Sequence, residues 1–240
     1  MEILNLSSLE KTYGGRKVVN QVSLKVTSGK VTGLLGPNGA GKTTTFYMAV
    51  GIIRPDSGKV MVNGSDITRF PMYIRARNGI GYLPQESSVF KTLTVKQNVM
   101  IILELMPLTK AEQHRKADEL LDELRIRHLS DQKAAVLSGG ERRRLEITRV
   151  LATNPLFILL DEPFAGVDPI AVIDIQKIIG LLTERKIGVL ISDHNVRETL
   201  GVCDEAFIMN SGTVIENGSP AKIASSEIAR KIYLGEEFRL

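Results

Sequence analysis

The sequence predicts an α/β protein whose functional residues follow the carboxyl ends of buried strands. Two continuous apolar runs, 156–160 and 188–191, end in polar residues, and a third, mostly apolar run, 31–35, leads into a glycine-rich segment. Strands that are buried on both faces of a parallel sheet have this composition. In open α/β sheets, ligands bind beyond the carboxyl ends of the strands. The candidate site residues after the first two runs are Asp161, Glu162, Ser192, Asp193 and His194.

The remaining pattern predicts what surrounds this sheet. The N-terminal stretch alternates apolar and polar side chains, which predicts short antiparallel strands. An Asn-Gly pair at 63–64 predicts a tight turn. Capping-box patterns that begin at Thr94 and Thr109 are typical of helix starts. We therefore expect one domain over 1–240, with a helical subdomain inserted at 87–155.

The composition is that of an ordinary globular protein, with 43% hydrophobic and 24% charged residues. No apolar run reaches the ~20 residues that cross a bilayer. The opening residues lack the basic and apolar regions of a secretory signal. The one cysteine, Cys203, cannot form an internal disulfide, which favours a reducing compartment. We expect a cytoplasmic protein that reaches a membrane only through partners.

The glycine-rich segment matches the P-loop pattern. Its glycines let the backbone curl so that successive N–H groups face a phosphate, and the helix that follows adds the positive end of its dipole. Lys42 reaches the β- and γ-phosphates, and the Thr43 hydroxyl is a ligand for Mg²⁺. The residues expected to bind ATP here are Gly36, Pro37, Asn38, Gly39, Ala40, Gly41, Lys42, Thr43 and Thr44.

The apolar run that ends in Asp161 and Glu162 has the pattern of a Walker B strand. Asp161 would hold Mg²⁺ through its water shell, and Glu162 would polarise the attacking water as a general base. On its own, the pattern also fits a strand that ends in solvated carboxylates. Its occurrence beside a P-loop favours the catalytic interpretation.

A glycine pair in the segment Leu-Ser-Gly-Gly-Glu, at 137–141, identifies the class of P-loop protein. Ser138 and Glu141 form a capping box, which predicts a helix start with exposed amide groups that a phosphate can approach. The segment is similar to the signature motif of the ATP-binding cassette superfamily. That resemblance implies a RecA-like core, an N-terminal antiparallel β-subdomain and an inserted helical subdomain. It also implies a head-to-tail homodimer, in which the ATP of the opposite subunit is contacted by Ser138, Gly139, Gly140 and Glu141.

Other segments occupy the family's remaining positions along nearly the whole chain. Tyr13 resembles the aromatic residue that stacks on adenine, and Gln85 resembles the glutamine that senses Mg²⁺ and the attacking water. Asp168 lies in the D-loop position, where Ala165 replaces the more usual serine. His194 resembles the switch histidine that contacts the γ-phosphate, although a lone histidine after a strand also fits a structural role. The residues expected at the metal are Thr43, Gln85 and Asp161.

Three consecutive arginines, Arg142, Arg143 and Arg144, are the compact basic cluster of a chain with a formal net charge of +4. The rest of the charge is spread along the chain, which favours a solvated surface over nucleic-acid binding. The arginines would lie on the helix that the signature opens, where they could face nucleotide, the second subunit or solvent. The sequence leaves these three alternatives open.

Four segments narrow the resemblance to the ATPase subunits of lipopolysaccharide-export transporters in Gram-negative inner membranes. That resemblance implies two copies on the cytoplasmic face of the membrane, bound to two integral membrane subunits. A coupling helix of those subunits would fit near Phe90 and Lys91; alternatively, Phe90 packs within its own chain. The four segments are 81–90, 161–174, 193–199 and 233–240.

The nearest alternative is the ATPase of a branched-chain amino-acid importer, whose cassettes are close in size and motif. A soluble cassette protein that acts on ribosomes or DNA usually carries two cassettes or a long coiled-coil insertion, and this chain has neither. A P-loop kinase or GTPase has no use for the signature, and no guanine-reading Asn-Lys-x-Asp segment occurs. The sequence therefore favours the ATP-driven transporter.

Overall fold

A computed structural model describes residues 1–235 and residue 238, with the backbone alone for residues 169 and 170. The segment 233–240, which carries part of the resemblance, lies partly outside the described residues. The chain forms two compact units. The first unit combines Met1–Tyr82 with Leu156–Leu240, and the second is Leu83–Pro155.

The strands belong to two sheets, with the orders β2-β1-β4-β5 and β10-β9-β3-β8-β7-β6. Their bounds are β1 Ile3–Tyr13, β2 Arg16–Thr27, β3 Val31–Leu35, β4 Ser57–Val62, β5 Ser65–Asp66, β6 Ile80–Leu83, β7 Phe157–Asp161, β8 Gly188–Ser192, β9 Glu205–Asn210 and β10 Thr213–Gly218.

The helices are distributed over both units. Their bounds are α1 Lys42–Val50, α2 Met72–Arg77, α3 Val95–Leu103, α4 Lys110–Glu123, α5 Gly139–Leu151, α6 Pro169–Glu184, α7 Val196–Val202, α8 Pro220–Ser225 and α9 Glu227–Ala229. Short 3₁₀ turns cover Arg127–Leu129 and Ala134–Val136, and a π-helical turn covers Arg230–Leu234. Within the described residues, none of these helices has both the length and the apolar character of a membrane span.

The first sheet confirms the antiparallel strands that the alternating pattern of the N-terminal stretch predicts. Strands β1 and β2 pair antiparallel, but they are 11 and 12 residues long rather than short. Shifts of register along this pair mark bulges, which increase the twist of long strands. The turn between β4 and β5 is formed by Asn63 and Gly64, with φ of 52° and 80°. Two successive positive φ angles are those of a tight hairpin turn, as the Asn-Gly pair predicts.

The second sheet is parallel where the apolar runs predict it. Strand β3 pairs in parallel with β8 and β9, and β7 pairs in parallel with β8, whereas β10 is antiparallel to β9. The side chains of β3, β7 and β8 are all buried. Neighbouring residues along β3 enter different core clusters, Leu34 with Phe46 and Phe157, and Leu35 with Leu200. Apolar side chains therefore cover this sheet on both faces.

The unit Leu83–Pro155 contains helices α3, α4 and α5. Both predicted capping boxes are present, at Thr94 for α3 and at Thr109 for α4. The buried side of α4 includes Leu120 and Leu121, as its amphipathic pattern predicts. The expected insertion at 87–155 begins a few residues after the start of this unit, which coincides with the end of β6.

A buried arginine holds the carboxyl end of α1. The Arg75 guanidinium is 1% exposed and donates hydrogen bonds to the carbonyl oxygens of Met48 (2.6 Å), Ala49 (2.7 Å), Phe70 (2.9 Å) and Thr68 (2.8 Å). Burial lowers the pKa of Arg75 to about 10. The last carbonyl groups of a helix lack partners within the helix and carry partial negative charge. Arg75 supplies those partners and so joins α1 to the loop before α2.

We expect Arg75→Met to lower the free energy of unfolding by about 3 kcal/mol, because it leaves several buried carbonyl groups without a hydrogen bond. Urea unfolding followed by circular dichroism measures the change. Arg77→Met is the matched control, since Arg77 is exposed on the same helix. Equal losses of stability in the two variants would show that the buried hydrogen bonds of Arg75 contribute nothing specific.

Candidate functional site

The glycine-rich loop after β3 has a backbone that requires its glycines. Gly36 has φ of 147°, and a Cβ there would lie 2.1 Å from the carbonyl oxygen of Met209. Gly41 has φ of 102°, and its Cβ would lie 2.5 Å from the carbonyl oxygen of Val18. Contacts this close to backbone atoms exclude any other residue type without rearrangement. The loop is therefore held against strands β2 and β9 by close backbone approach.

Helix α1 begins directly after this loop. Its N-cap, Gly41, has no side chain to satisfy the first amide groups of the helix. Such an N-terminus favours an anion, because unpaired N–H groups and the helix dipole point toward it. The Lys42 ammonium donates hydrogen bonds to the carbonyl oxygens of Gly36 (2.6 Å) and Pro37 (3.0 Å). The predicted phosphate-binding groups are thus assembled in one short segment.

Burial is the main cause of a lowered pKa at Lys42, and three nearby carboxylates, Asp161, Glu162 and Asp193, oppose it. A buried ammonium loses hydration, whereas neighbouring negative charges favour its charged form. The site therefore combines one buried cation with three carboxylates at the ends of adjacent strands.

An open cavity of about 290 Å³ lies in front of the loop. Much of the segment that is predicted to bind ATP lines this cavity, and so do two residues of β2 that the sequence analysis missed, Arg16 and Val18. Tyr13 is absent from the lining; it is 47% exposed, and the Lys11 ammonium lies 5.5 Å from the centre of its ring. The lining residues are Arg16, Val18, Asn38, Gly39, Ala40, Gly41, Lys42, Thr43, Thr44 and Glu162.

Asp161 ends β7 and is 5% exposed. Burial raises its pKa to about 6, and the negative charges of Glu162 and Asp193 act in the same direction. The Tyr82 hydroxyl lies 3.3 Å from Asp161 Oδ2 and donates a hydrogen bond to it, which opposes the shift. Lys42 opposes it as well. The carboxylate is therefore poised to gain a compensating positive charge.

Glu162 follows Asp161 in a strained backbone conformation. Its φ is 46°, and its N–H donates to the carbonyl oxygen of Ser192 at 2.6 Å. Non-glycine residues with positive φ cost free energy and are concentrated at functional sites. His194 Nδ1 lies 3.4 Å from Glu162 Oε2 and 3.6 Å from Asp193 Oδ1. The structure thus brings Glu162 and His194 together, as their places after adjacent strands predict.

Asp193 is fully buried and joins the two loops that follow β7 and β8. Its carboxylate accepts hydrogen bonds from the backbone N–H groups of Phe164 and Asn195, both at 2.8 Å. Backbone donors satisfy a buried carboxylate well. Its place after an apolar run marked Asp193 as a candidate, but no role followed from the sequence.

The π-helical turn near the end of the chain also contacts this site. The Tyr233 hydroxyl donates to the carbonyl oxygen of His194 at 3.3 Å. Burial raises the pKa of Tyr233 to about 12, although a hydrogen bond with the backbone of Gly36 acts in the opposite direction and lowers this pKa. One tyrosine therefore contacts both the loop after β8 and the first glycine of the P-loop. No local pattern in the sequence predicts these contacts.

The second unit contains the remaining predicted motif residues. Ser138 and Glu141 form the expected capping box at the start of α5, and the Ser138 hydroxyl donates to Glu141 Oε2 at 2.7 Å. That hydrogen bond is the main cause of a lowered pKa at Glu141. A Cβ added at Gly139 or Gly140 would meet no other atom of the described residues within 4 Å. Gln85 belongs to this unit too, whereas the P-loop belongs to the first unit.

The arginine cluster makes hydrogen bonds inside its own unit, a role that the three alternatives from the sequence did not include. Each arginine donates to a group of the segment Leu83–Pro155, so the cluster has a structural use there. The hydrogen bonds join Arg142 to Leu137 O (3.0 Å), Arg143 to Glu146 Oε2 (3.2 Å) and Pro84 O (3.4 Å), and Arg144 to Leu124 O (3.3 Å).

Two further predicted residues are exposed. Asp168 caps α6, because its carboxylate accepts a hydrogen bond from the N–H of Ala171 at 2.9 Å. Phe90 is 47% exposed, so it does not pack fully inside its own chain. Asn98 holds the backbone of Phe90 through both its N–H and its carbonyl group. The Arg149 guanidinium lies 4.9 Å from the centre of the Phe90 ring, at cation–π distance.

The donor set at the site fits a metal that is bound together with phosphates. Among the residues that the structure describes, no group of three or more His, Cys, Asp or Glu side chains is arranged to hold a metal ion. Mg²⁺ commonly binds one or two protein oxygens, substrate phosphates and waters rather than an all-protein cage. The Asp161 carboxylate and the Thr43 hydroxyl provide such oxygens.

Comparisons with known proteins agree with this geometry. The ABC transporter family model matches residues 19–165. The chain is 56% identical to the lipopolysaccharide export system ATP-binding protein LptB of Haemophilus influenzae and 55% identical to LptB of Escherichia coli K12, over 100% of both chains in each case. The ADP conformation of an ATP-binding cassette of an ABC transporter has a TM-score of 0.88 at 33% identity, over 98% of this chain and 100% of that chain. A dimeric ATP-binding cassette bound to ADP and phosphate has the same fold at 23% identity, with a TM-score of 0.77 over 90% of this chain and 98% of that chain.

We expect Asp161→Asn to raise the free energy of unfolding of the nucleotide-free protein at neutral pH, by up to about 3 kcal/mol. The substitution removes a buried negative charge but keeps an acceptor for Tyr82. Because the pKa of Asp161 is raised to about 6, the folded wild type binds a proton more tightly than the unfolded chain does. The free energy of unfolding of the wild type is therefore lower than that of the variant above about pH 6. This difference disappears as the pH falls toward about 4.

Urea unfolding at about pH 7.5 and about pH 5 measures this pH dependence. Asp131→Asn is the control, since Asp131 is exposed and its substitution should have the same small effect at both values. An equal gain for Asp161→Asn at both pH values would contradict the assignment of a raised pKa.

Proposed function

Because the chain belongs to the ABC transporter family and is an ATP-hydrolysing cassette, we propose that it is the ATPase subunit of a lipopolysaccharide-export transporter. The relatives named LptB, which match the whole chain, support this cargo. The observation that carries the activity is the meeting of the P-loop, Asp161, Glu162 and His194 at adjacent strand ends. None of the relatives described above is named as an amino-acid importer or as a protein acting on ribosomes or DNA, so those alternatives lack support.

ATP would bind with its phosphates against the loop and the start of α1. The loop amides and the helix dipole favour the negative charge. Lys42, which donates to two carbonyl groups of its own loop, has donors suited to the β- and γ-phosphates. Tyr13 is proposed to stack on adenine, which requires it to approach a cavity whose lining includes Arg16 and Val18.

The proposed cofactor is Mg²⁺, held by Thr43 and Asp161 with Gln85 as a further oxygen donor. When bound, it would neutralise charge that develops on the phosphates. The raised pKa of Asp161 supports this role, because a nearby cation would restore the ionised form.

Glu162 is proposed as the general base that orients and polarises the attacking water. Its side chain lines the cavity beside the loop and is 25% exposed, so water can reach it. The proximity of His194 Nδ1, at 3.4 Å, supports a role in orienting the carboxylate while the imidazole contacts the γ-phosphate. A positioned carboxylate typically accelerates such a step by ~10²–10⁴-fold.

Hydrolysis is proposed to occur between two copies of the chain, packed head to tail. Ser138, Gly139, Gly140 and Glu141 would contact the ATP of the opposite copy, and Asp168 would lie at the same interface. The uncovered glycines at the start of α5 are suited to a phosphate that approaches from outside the chain. ATP would stabilise the closed dimer through contacts that ADP lacks, so hydrolysis would reopen it.

Two integral membrane subunits are the proposed partners, with this chain on the cytoplasmic face of the inner membrane and no role for nucleic acid. Leu83–Pro155 would be the helical subdomain of the cassette and would carry the docking groove near Phe90 and Lys91. The ring of Phe90 is half exposed, and Asn98 holds its backbone through two hydrogen bonds. Both observations support a contact between this ring and a membrane subunit.

We expect Glu162→Gln to bind ATP with near wild-type affinity but to release phosphate at least ~100-fold more slowly, because the amide cannot act as a base. The stalled variant should accumulate as an ATP-dependent dimer, detected by light scattering after size exclusion. Glu184→Gln, an exposed substitution at the end of α6, is the matched control. Near-normal phosphate release by the Glu162 variant would remove the base role from this residue.

A tagged chain purified from native membranes should carry two integral membrane proteins of a lipopolysaccharide exporter, identified by mass spectrometry. Phe90→Ala should reduce their recovery severalfold without changing the thermal unfolding midpoint, whereas Leu105→Ala, an exposed apolar control in the same unit, should not. Amino-acid permease subunits in the sample would overturn the cargo, and ribosomes or DNA in place of membrane proteins would overturn the transporter.

A further inference from the structure

Tyr82 lies at a boundary of the fold and beside the proposed metal-binding carboxylate. It is the last residue of the segment Met1–Tyr82, within strand β6. Its hydroxyl lies 3.3 Å from Asp161 Oδ2. The family motifs discussed above give this tyrosine no role, although it precedes Gln85 by only a short stretch of chain.

The ring of Tyr82 is fixed by two aromatic residues of the P-loop helix α1. The Phe46 ring is 6.4 Å away at an interplanar angle of 57°, and the Tyr47 ring is 6.5 Å away at 85°. Tilted and edge-to-face pairs at these distances are favourable. Packing against α1 therefore places the hydroxyl, and the Tyr47 side chain is a second hydrogen-bond partner of Tyr82 besides Asp161.

The contact constrains how Asp161 can rotate. The terminal torsion of an aspartate is broad and nearly two-fold, so packing around the side chain does not by itself fix the plane of the carboxylate. A hydrogen bond to Oδ2 selects one orientation and thereby aims Oδ1. It also provides a polar partner for an acceptor that is 5% exposed.

We infer that Tyr82 is a positioning residue that orients the Asp161 carboxylate for the metal of the nucleotide complex. This inference rests on the proposed function, since it requires Asp161 to act at Mg²⁺. Groups that hydrogen-bond metal-binding carboxylates orient them, and their loss typically lowers metal affinity ~10–100-fold. Tyr82 joins the P-loop helix, the strand that leads to Gln85 and the end of β7 in one contact.

The test separates metal-dependent from metal-independent nucleotide binding. Calorimetry would measure ADP affinity with saturating Mg²⁺ and with EDTA, for the wild type, for Tyr82→Phe and for Tyr73→Phe. The last is a matched control, because Tyr73 is 63% exposed. Tyr82→Phe keeps the ring and its packing and removes only the hydroxyl, and its thermal unfolding midpoint would verify folding.

We expect the ratio of the two affinities to fall about tenfold in Tyr82→Phe, with the affinity in EDTA unchanged and the control equal to the wild type. An unchanged ratio would overturn the inference while leaving the proposed function intact. Equal losses in Mg²⁺ and in EDTA would also overturn it, because a purely structural role affects both. A wild-type protein that binds no ADP would overturn the proposed function itself.

Discussion

Parallel pairing of three strands, β3, β8 and β7, is the constraint on which the site depends. Each strand is short and fully buried, so its ladder hydrogen bonds and apolar contacts fix the position of its end. These neighbouring ends carry the P-loop after β3, the pair Asp193-His194 after β8 and the pair Asp161-Glu162 at the end of β7. Groups that are far apart in the chain therefore meet at one edge of the sheet.

The charged groups of this small region affect one another's pKa values, although their charges do not cancel. Three carboxylates and the Lys42 ammonium share a partly buried environment, where burial shifts the pKa of Asp161 upward and that of Lys42 downward. Asp193 is stabilised by backbone N–H groups and stays buried. Glu162 occupies a backbone conformation that costs free energy and remains accessible to water. Neighbouring acidic groups thus have different surroundings, which allows them different chemical tasks.

Local patterns in the sequence predicted the elements and the segments that form the candidate site, because each depends on nearby residues. The buried strands, the Asn-Gly turn and the capping boxes at Thr94, Thr109 and Ser138 are of this kind. The contacts of Tyr82, Arg16 and Tyr233 join segments far apart in the chain and leave no periodic signal. For the same reason the sequence could not choose among the surroundings of Arg142, Arg143 and Arg144, whose partners are set by helix packing.

Arg75 gives the P-loop helix a thermodynamic property that its sequence pattern does not reveal. Helix α1 is anchored at its carboxyl end by buried hydrogen bonds and at its start by close backbone contacts of Gly36 and Gly41. An element that is held at both ends has little conformational freedom left to lose when phosphate binds, so the entropic cost of ordering a loop is small. More of the free energy of the phosphate contacts then remains to shift the equilibrium between two conformations of the protein, which is how a bound nucleotide drives a conformational change.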